Sequence, residues 1–368
     1  MDKQVKIVIG ANYGDEGKGL VSYSLADKAN REGRKVLTVL YNGGAQRGHT
    51  AGGKVHHCTG SGISVGTDTY YDSHFMLDPI TVWLERAKVY FNPLCRVVLP
   101  CDVINNQINE TRARKIGADN GTCGMGIFEA CKRSQNHEYE IIAADLIQMA
   151  TLYDKLIKCE QKYGYPRDIL YNNDNFMRAV EWVNLNCRLI DFASLMKEND
   201  YDTIIFEGGQ GLMLDQANRG DYPHLTPSST GIRNCIRPIR QLKVVPDIYY
   251  VSRSYLTRHG RGHLPGECKV EDINKDIVDE TNVTNIWQGE LRYGYLGVEA
   301  LHDRIWSDAA EYNTWFGKNL NVNLVYTHLN YTDGKLAVGK KRLDKIVKPS
   351  FVSHIYGSDR KDEMGVLV

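Results

Sequence analysis

A glycine-rich loop, Gly10-Ala11-Asn12-Tyr13-Gly14-Asp15-Glu16-Gly17-Lys18-Gly19, stands between a short β-branched run and a helical segment. The run Val5 to Ile9 reads as a buried strand, and Leu20 to Arg31, closed by Gly33, reads as a helix. Lys35 to Tyr41 is the next apolar run and ends at Gly43-Gly44. A strand–loop–helix–strand opening predicts a parallel sheet with right-handed crossovers. Glycines let backbone N–H groups point inward around phosphate oxygens, the helix N-terminus adds its positive end, and Lys18 adds a full charge. The spacing is not that of the standard Walker loop: six residues separate Gly10 from Gly17, and Gly19 stands where Ser or Thr would bind magnesium. Asp15, inside the loop, is the candidate for that Mg²⁺. The competing reading is a Gly-rich turn with solvated charges.

Further strand-like runs are Arg96 to Leu99, Thr203 to Phe206, Ile248 to Val251 and Leu324 to Tyr326, each leading into a polar or Gly-rich segment. Ligands of parallel α/β sheets sit at the carboxyl ends of strands, so those segments are site candidates. The stretch from about Leu146 to Glu198 is charged and helical in texture and reads as an insertion on one core. With no repeat and no Pro/Ser linker, residues 1–368 are expected to form a single domain.

Lys+Arg and Asp+Glu both number 45, so the formal net charge is zero and nothing points to a nucleic-acid coat or a membrane surface. No stretch reaches transmembrane length. The opening residues run straight into a strand, without the pattern of a signal peptide. The nine cysteines are scattered singly, so reduced thiols in the cytoplasm are expected rather than a disulfide framework or a structural zinc. The sequons at Asn109, Asn282 and Asn330 are then chance matches.

Asn42-Gly43-Gly44-Ala45-Gln46-Arg47-Gly48-His49-Thr50 follows the second strand and should neighbour the first loop. A His near an Asp–magnesium centre can stabilise a developing oxyanion; a structural His on a Gly-rich turn is the alternative.

Together these segments resemble the adenylosuccinate synthetase family, whose first loop reads Gly-Asp-Glu-Gly-Lys-Gly and whose second motif reads Gly-Gly-x-Asn-Ala-Gly-His-Thr. Asn120-Gly121-Thr122-Cys123-Gly124-Met125-Gly126-Ile127 resembles the family's phosphate loop. Phe206-Glu207-Gly208-Gly209-Gln210-Gly211 and Tyr222-Pro223-His224-Leu225-Thr226 resemble its Phe-Glu-Gly-Ala-Gln-Gly and Tyr-Pro-Tyr-Val-Thr. Leu256-Thr257-Arg258-His259-Gly260-Arg261-Gly262 is similar to its Ser-Thr-Arg-Val-Gly-Ala-Gly, and Pro265-Gly266-Glu267 to its Pro-Thr-Glu. The resemblance implies a P-loop-like α/β fold, with a mainly parallel central sheet flanked by helices and with helical and loop insertions.

In such a ligase, a 6-oxopurine nucleotide is joined to L-aspartate with hydrolysis of a nucleoside triphosphate. The resemblance makes Asp15 both the base at purine N1 and a magnesium ligand. His49 then hydrogen-bonds to the purine oxygen, the Gly48 carbonyl joins the metal shell, and Lys18 neutralises the γ-phosphate. Gly14, Glu16, Gly17, Gly19, Thr50 and Asn330 would complete the triphosphate site. Asn12, Gln46, Gly48, Thr122, Cys123, Gln210 and Thr226 would hold the purine monophosphate. Arg133 lies near the place of an Arg that the family contributes across a homodimer, or is an ordinary helix charge.

Three departures refine this expectation. Where the family reads guanine through Thr-Lys-Leu-Asp, this chain has Thr327-His328-Leu329-Asn330. Asn offers a donor and an acceptor and suits adenine, so ATP or dATP is expected as donor. In the aspartate loop, Asn285, Gln288, Gly289 and Arg292 remain, but Arg292 is the one survivor of an arginine cluster; Arg258 and Arg261 are candidate helpers. Gln46-Arg47 replaces Asn-Ala, and the chain is short. These features are similar to the phage branch that takes dGMP and forms N6-succino-2-amino-2′-deoxyadenylate, while the retained Asp15 matches both the ordinary enzymes that take IMP and a sub-branch of the phage enzymes that keeps the loop aspartate. Rival classes are a non-catalytic nucleotide-binding protein and a phosphotransferase kinase.

Overall fold

The computed structural model describes residues 2–163, 173–278, 286–316, 320–339, 341–343, 348–360 and 363–366. Ten strands form one sheet: β1 Gln4–Gly10, β2 Val36–Leu40, β3 Asp68–Tyr71, β4 Tyr90–Phe91, β5 Arg188–Leu189, β6 Thr203–Gly211, β7 Asp247–Arg253, β8 Asn321–Thr327, β9 His354–Arg360 and β10 Glu363–Val366. Their spatial order is β10-β9-β8-β7-β1-β6-β2-β3-β4-β5. Every neighbouring pair runs parallel except β9 and β10. This matches the expected fold class.

The central strands are apolar on both faces, as a parallel sheet covered by helices requires. Alternation divides them. Ile7, Ile9, Val39, Phe206, Ile248 and Tyr250 face one layer, filled by Leu301, Ile305 and Tyr312 of α2 (Val298–Phe316) and by Ile236 and Ile239 of a short helix. Val8, Val36, Ile205, Val251 and Val325 face the other, against Val21, Leu25, Ala26 and Ala29 of α1 (Lys18–Arg31). Each such buried side chain stabilises the fold by about 1.5–3 kcal/mol before entropy.

Two expectations change. The run Arg96 to Leu99 is not a sheet strand; it makes isolated bridges from Leu77 to Val97 and from Arg96 to Ile142. The stretch after Leu146 is helical over Met149–Tyr163 and Asn173–Asn186, yet it also supplies the edge strand β5 and packs Leu152, Leu156, Phe176 and Val180 into a separate apolar cluster. Among the described residues, no helix is long and apolar enough to cross a membrane.

Strand β1 lies between β6 and β7, while β2 lies beyond β6. The chain therefore departs in both directions from β1, and the crevice at this reversal opens over the carboxyl ends of β1, β6 and β7. The loop 10–17 sits there.

Candidate active site

The loop after β1 is built around an internal carboxylate. Glu16 Oε1 accepts from the backbone N–H groups of Asn12 (2.9 Å) and Gly14 (2.8 Å), and Oε2 pairs with Lys18 Nζ at 2.8 Å. Lys18 Nζ also donates to the Gly14 carbonyl. Burial would raise the Glu16 carboxyl, but Lys18 and the backbone donors outweigh it and hold it below the usual range. Glu16, expected among the triphosphate ligands, is thus turned inward as the loop's own anion, and Lys18 is its buried partner. Gly14 and Gly17 carry φ of 123° and 88°, which the tight turn into α1 needs and a Cβ resists. Gly19 allows a close approach of two backbones: a Cβ there would lie 2.7 Å from His49 Cβ.

Neighbouring strands fix the loop. Thr327 Oγ1 at the end of β8 donates to the Glu16 carbonyl (2.6 Å), and Arg253 Nε of β7 donates to the Asp15 carbonyl. Asn12 Nδ2 donates to Ser252 Oγ at 2.9 Å, while Arg304 Nη2 of α2 donates to Asn12 Oδ1 at 2.7 Å. The Asp15 carboxylate is left 27% exposed, with His259 Nε2 3.4 Å from its Oδ2.

His49 belongs to a buried network on β6. Its Nδ1 lies 2.7 Å from Glu207 Oε1 and 2.7 Å from Arg47 Nη2. Arg47 pairs with the same carboxylate, and Ser61 donates to it through Oγ (2.7 Å) and its backbone N–H (3.0 Å). Burial, and then the Arg47 charge, push the His49 imidazole down to about 3, so it is neutral at physiological pH. Burial alone would lift Glu207; Arg47 and His49 more than offset it and keep it ionised. His49 Nε2 is buried with no partner among the described residues. Gly48 precedes it, and Thr50 is exposed on the ribbon that His49 starts.

The expected monophosphate residues fall into two groups. Thr226 Oγ1 donates to Gln210 Oε1 at 3.0 Å, beside Gly43 and Gln46. Thr122 and Cys123 lie on another loop, where Glu110 accepts from the N–H groups of Gly121 and Thr122, so a carboxylate again occupies the amides. That loop meets two others. Arg261 N donates to the Asn120 carbonyl at 3.2 Å, and Trp287 packs on Gly124. Arg114 holds the carbonyls of Ile286 and Trp287, which positions Gln288 and Gly289.

Two arginine assignments are corrected or narrowed. Arg133 is 3% exposed; it binds Asp102 through Nε and Nη2, and the carbonyls of Tyr139 and Val97 through Nη1 and Nη2. A guanidinium so committed within its own chain does not reach a phosphate across a subunit boundary. Arg292 pairs with Glu267 through Nε (2.7 Å) and Nη2 (2.5 Å), and its Nη1 donates to the carbonyls of Gly260 and Gly262. Its fork is filled by an internal carboxylate where a substrate carboxylate was expected. Arg258 is nearly fully buried, 4.6 Å above the Tyr13 ring. Asn330 is exposed on a short turn after Thr327. Asn285 lies outside the described residues. Among the described residues no three His, Cys, Asp or Glu side chains converge as a metal site.

Sequence reasoning noted Arg47 as a departure from the family motif but gave no site role to Arg47, Ser61, Glu207, Arg304 or His259. Glu207 was on view inside a motif, but nothing in the linear order shows that it meets His49, 158 residues away.

The family model described as adenylosuccinate synthetase matches residues 7–311. The adenylosuccinate synthetase of Clostridium beijerinckii is 27% identical over 292 residues, 71% of this chain and 65% of that protein, so the match spans just under two-thirds of this relative. The fully ligated adenylosuccinate synthetase of Plasmodium falciparum superposes with a TM-score of 0.69 at 20% identity, covering 99% of this chain and 87% of that one. The cyanophage S-2L succinoaminodeoxyadenylate synthetase, bound to dGMP and dATP, superposes with a TM-score of 0.61 at 16% identity, covering 100% of this chain and 96% of that one. With the first loop, the His49 motif and the β6 motif gathered at one crevice, and the family model spanning most of the sequence, the chain belongs to the adenylosuccinate synthetase family of carbon–nitrogen ligases.

Proposed function

We propose that this protein joins L-aspartate to C6 of dGMP with hydrolysis of ATP or dATP, giving N6-succino-2-amino-2′-deoxyadenylate. The observation that carries the reading is the meeting of Asp15, the Glu207–His49–Arg47 network and the Gln210–Thr226 pair at the carboxyl ends of three adjacent strands. Asp15, the accessible carboxylate of the loop, takes the proton from purine N1. The purine oxygen then attacks the γ-phosphate, forming an O–P bond as the bond to the nucleoside diphosphate breaks. The aspartate amine next forms the C–N bond at C6, and phosphate leaves with the former purine oxygen. Arg47 Nη2 and Glu207 Oε1 both lie 2.7 Å from His49 Nδ1 and fix the ring, so Nε2 is the ring nitrogen assigned to the purine oxygen. There it stabilises the developing oxyanion.

Magnesium would be held by the Asp15 carboxylate, 27% exposed on its loop, and by the Gly48 carbonyl; this ion is normally completed by substrate phosphates and water. When bound, it neutralises charge on the phosphates. The choice of dGMP is supported by the altered Gln46-Arg47 motif and by the fold shared with the cyanophage enzyme. A second reading, IMP as acceptor, is favoured by the retained Asp15 and by the names of the curated relatives. The homodimer expected from the family has no support from Arg133, which is committed within its own chain.

The test is direct. Purified protein with Mg²⁺, L-aspartate and ATP is given dGMP or IMP, and the product mass is read. A succinylated dGMP product in excess supports the proposal, excess from IMP selects the second reading, and no succinylated product from either rejects both.

A further inference from the structure

Asn12 stands in the expected monophosphate set, yet each of its polar atoms has a partner within the chain. Its backbone N–H donates to Glu16 Oε1 of the same loop at 2.9 Å, and its carbonyl accepts from the Met213 N–H, just after β6, at 2.9 Å. Its Nδ2 donates to Ser252 Oγ of β7 at 2.9 Å, and its Oδ1 accepts from Arg304 Nη2 of α2 at 2.7 Å. A Cβ on Gly211 would collide with the Asn12 carbonyl, so the end of β6 lies directly against this residue. Asn12 is 2% exposed, and an amide so engaged at both ends is not offered to a ligand. Arg304 is the one partner that comes from outside the sheet and its loops. It is half-buried, and its Nε also donates to the Ala11 carbonyl at 3.3 Å. The planar fork thus spans a backbone oxygen and a side-chain oxygen of consecutive residues, where β1 passes into the loop of Asp15 and Lys18. Four residues further along α2, Asp308 accepts from the Ile232 N–H and from Tyr250 Oη, so the guanidinium projects from an anchored helix.

We infer that Arg304 is a positioning residue of the ligation, acting through Asn12 to hold the loop that carries Asp15. The inference rests on the proposed function, in which Asp15 takes the proton from purine N1. A base must lie within hydrogen-bond reach of the proton it takes, and a displacement of about 1 Å from a distant change can cost about a hundredfold in rate. Asn12 precedes Asp15 by three residues, so its orientation sets where the loop starts and where the carboxylate arrives. Without Arg304 the Asn12 Oδ1 is a buried acceptor with nothing to accept. The amide can then turn, which also breaks its bond to Ser252 and frees the loop from β7. Arg304 makes these contacts from a helix, so the placement of the loop depends on how α2 packs on the sheet.

The experiment measures kcat, and KM for ATP, the purine monophosphate and L-aspartate, in the wild type, Arg304→Ala, Arg304→Lys, Asn12→Ala and the double variant. Amide hydrogen exchange of residues 10–17 is followed in the same proteins. Arg304→Ala should lower kcat by about tenfold or more, leave KM for the monophosphate within about twofold, and speed exchange in the loop. Arg304→Lys, a single ammonium in place of a fork, should keep more of the rate. Asn12→Ala should lose about as much as Arg304→Ala, and the double variant no more than the worse single one, because the two act as a unit. A raised KM for the monophosphate at unchanged kcat makes one of the pair a substrate contact, and losses that multiply in the double variant make them independent; either result overturns the inference. If Asn12→Ala does not fold, the two Arg304 variants decide, and unchanged kcat or unchanged loop exchange in Arg304→Ala overturns it. Absence of product in the wild type removes the proposed function and this inference with it, whereas product with an unaffected Arg304→Ala removes this inference alone.

Discussion

Two carboxylates in adjacent positions, Asp15 and Glu16, have opposite fates. Glu16 is 2% exposed and satisfies two loop amides and Lys18, whereas the Asp15 side chain is 27% exposed. Asp15→Asn keeps the shape and removes the base, so turnover should fall to background while ATP still binds, as measured by product formation and calorimetric titration. Glu16→Gln should instead weaken the loop itself. Arg47 is the other residue with an unambiguous physical role. It is 3% exposed and pairs with Glu207, whose carboxylate has no route to water. Removing one member of a buried pair typically costs about 3–5 kcal/mol, because the survivor's charge stays buried. Arg47→Ala should therefore lower the urea midpoint by a corresponding amount, with loss of activity through His49; unaltered stability would show that Glu207 finds another partner.

At the scale of elements, the N-terminal turn of α1 packs against the His49 ribbon because Gly19 has no side chain. A methyl group at 2.7 Å from His49 Cβ forces one of the two apart. Gly19→Ala should cost about 1–3 kcal/mol by thermal or urea unfolding, and should lower kcat more than it raises KM for ATP. The turn after β8 carries Asn330, and Thr327 ties that strand end to the Glu16 carbonyl. In the proposed function, this link joins the turn that reads the base to the loop that holds the phosphates. Asn330→Asp should shift the ratio of rates with ATP and GTP toward GTP by about tenfold, as expected when an acceptor replaces a donor at a polar edge. Rates unchanged with both nucleotides would place the base elsewhere.

Across the molecule, α2 ties the sheet to the loop between β6 and β7 through one partly buried acid. Asp308 accepts from Tyr250 Oη at 2.8 Å and from the Ile232 N–H at 3.2 and 3.3 Å. Burial lifts its carboxyl to about 7. The folded value stands above the ordinary carboxylate range, so the folded state keeps a proton that the unfolded chain has already lost. Stability therefore falls as pH rises from about 4 to about 7 and flattens above, with a slope of at most about 1.4 kcal/mol per pH unit from this group. Urea unfolding at a series of pH values should show that decline, and Asp308→Asn should flatten it.

Much of the architecture was legible before any coordinates. Apolar runs that lead into polar or Gly-rich segments place β1, β2, β6, β7 and β8 to within a few residues, because strand formation and burial in a parallel sheet depend on local apolar content. The same local logic named Asp15 and Lys18 within one loop, and the order of the motifs was enough for the family. It failed where an outcome depended on a partner distant in sequence. Arg96 to Leu99 has the composition of a strand but makes isolated bridges, to Leu77 and Ile142, in place of a ladder. Arg133 and Arg292 look like free cations until Asp102 and Glu267 are seen opposite them. Which carboxylate turns inward, which glycine marks a close approach, and that His49 shares Glu207 with Arg47 are all decided by distances across the fold. A hydrogen bond or a buried charge is defined by its partner, and only the tertiary structure brings partners together.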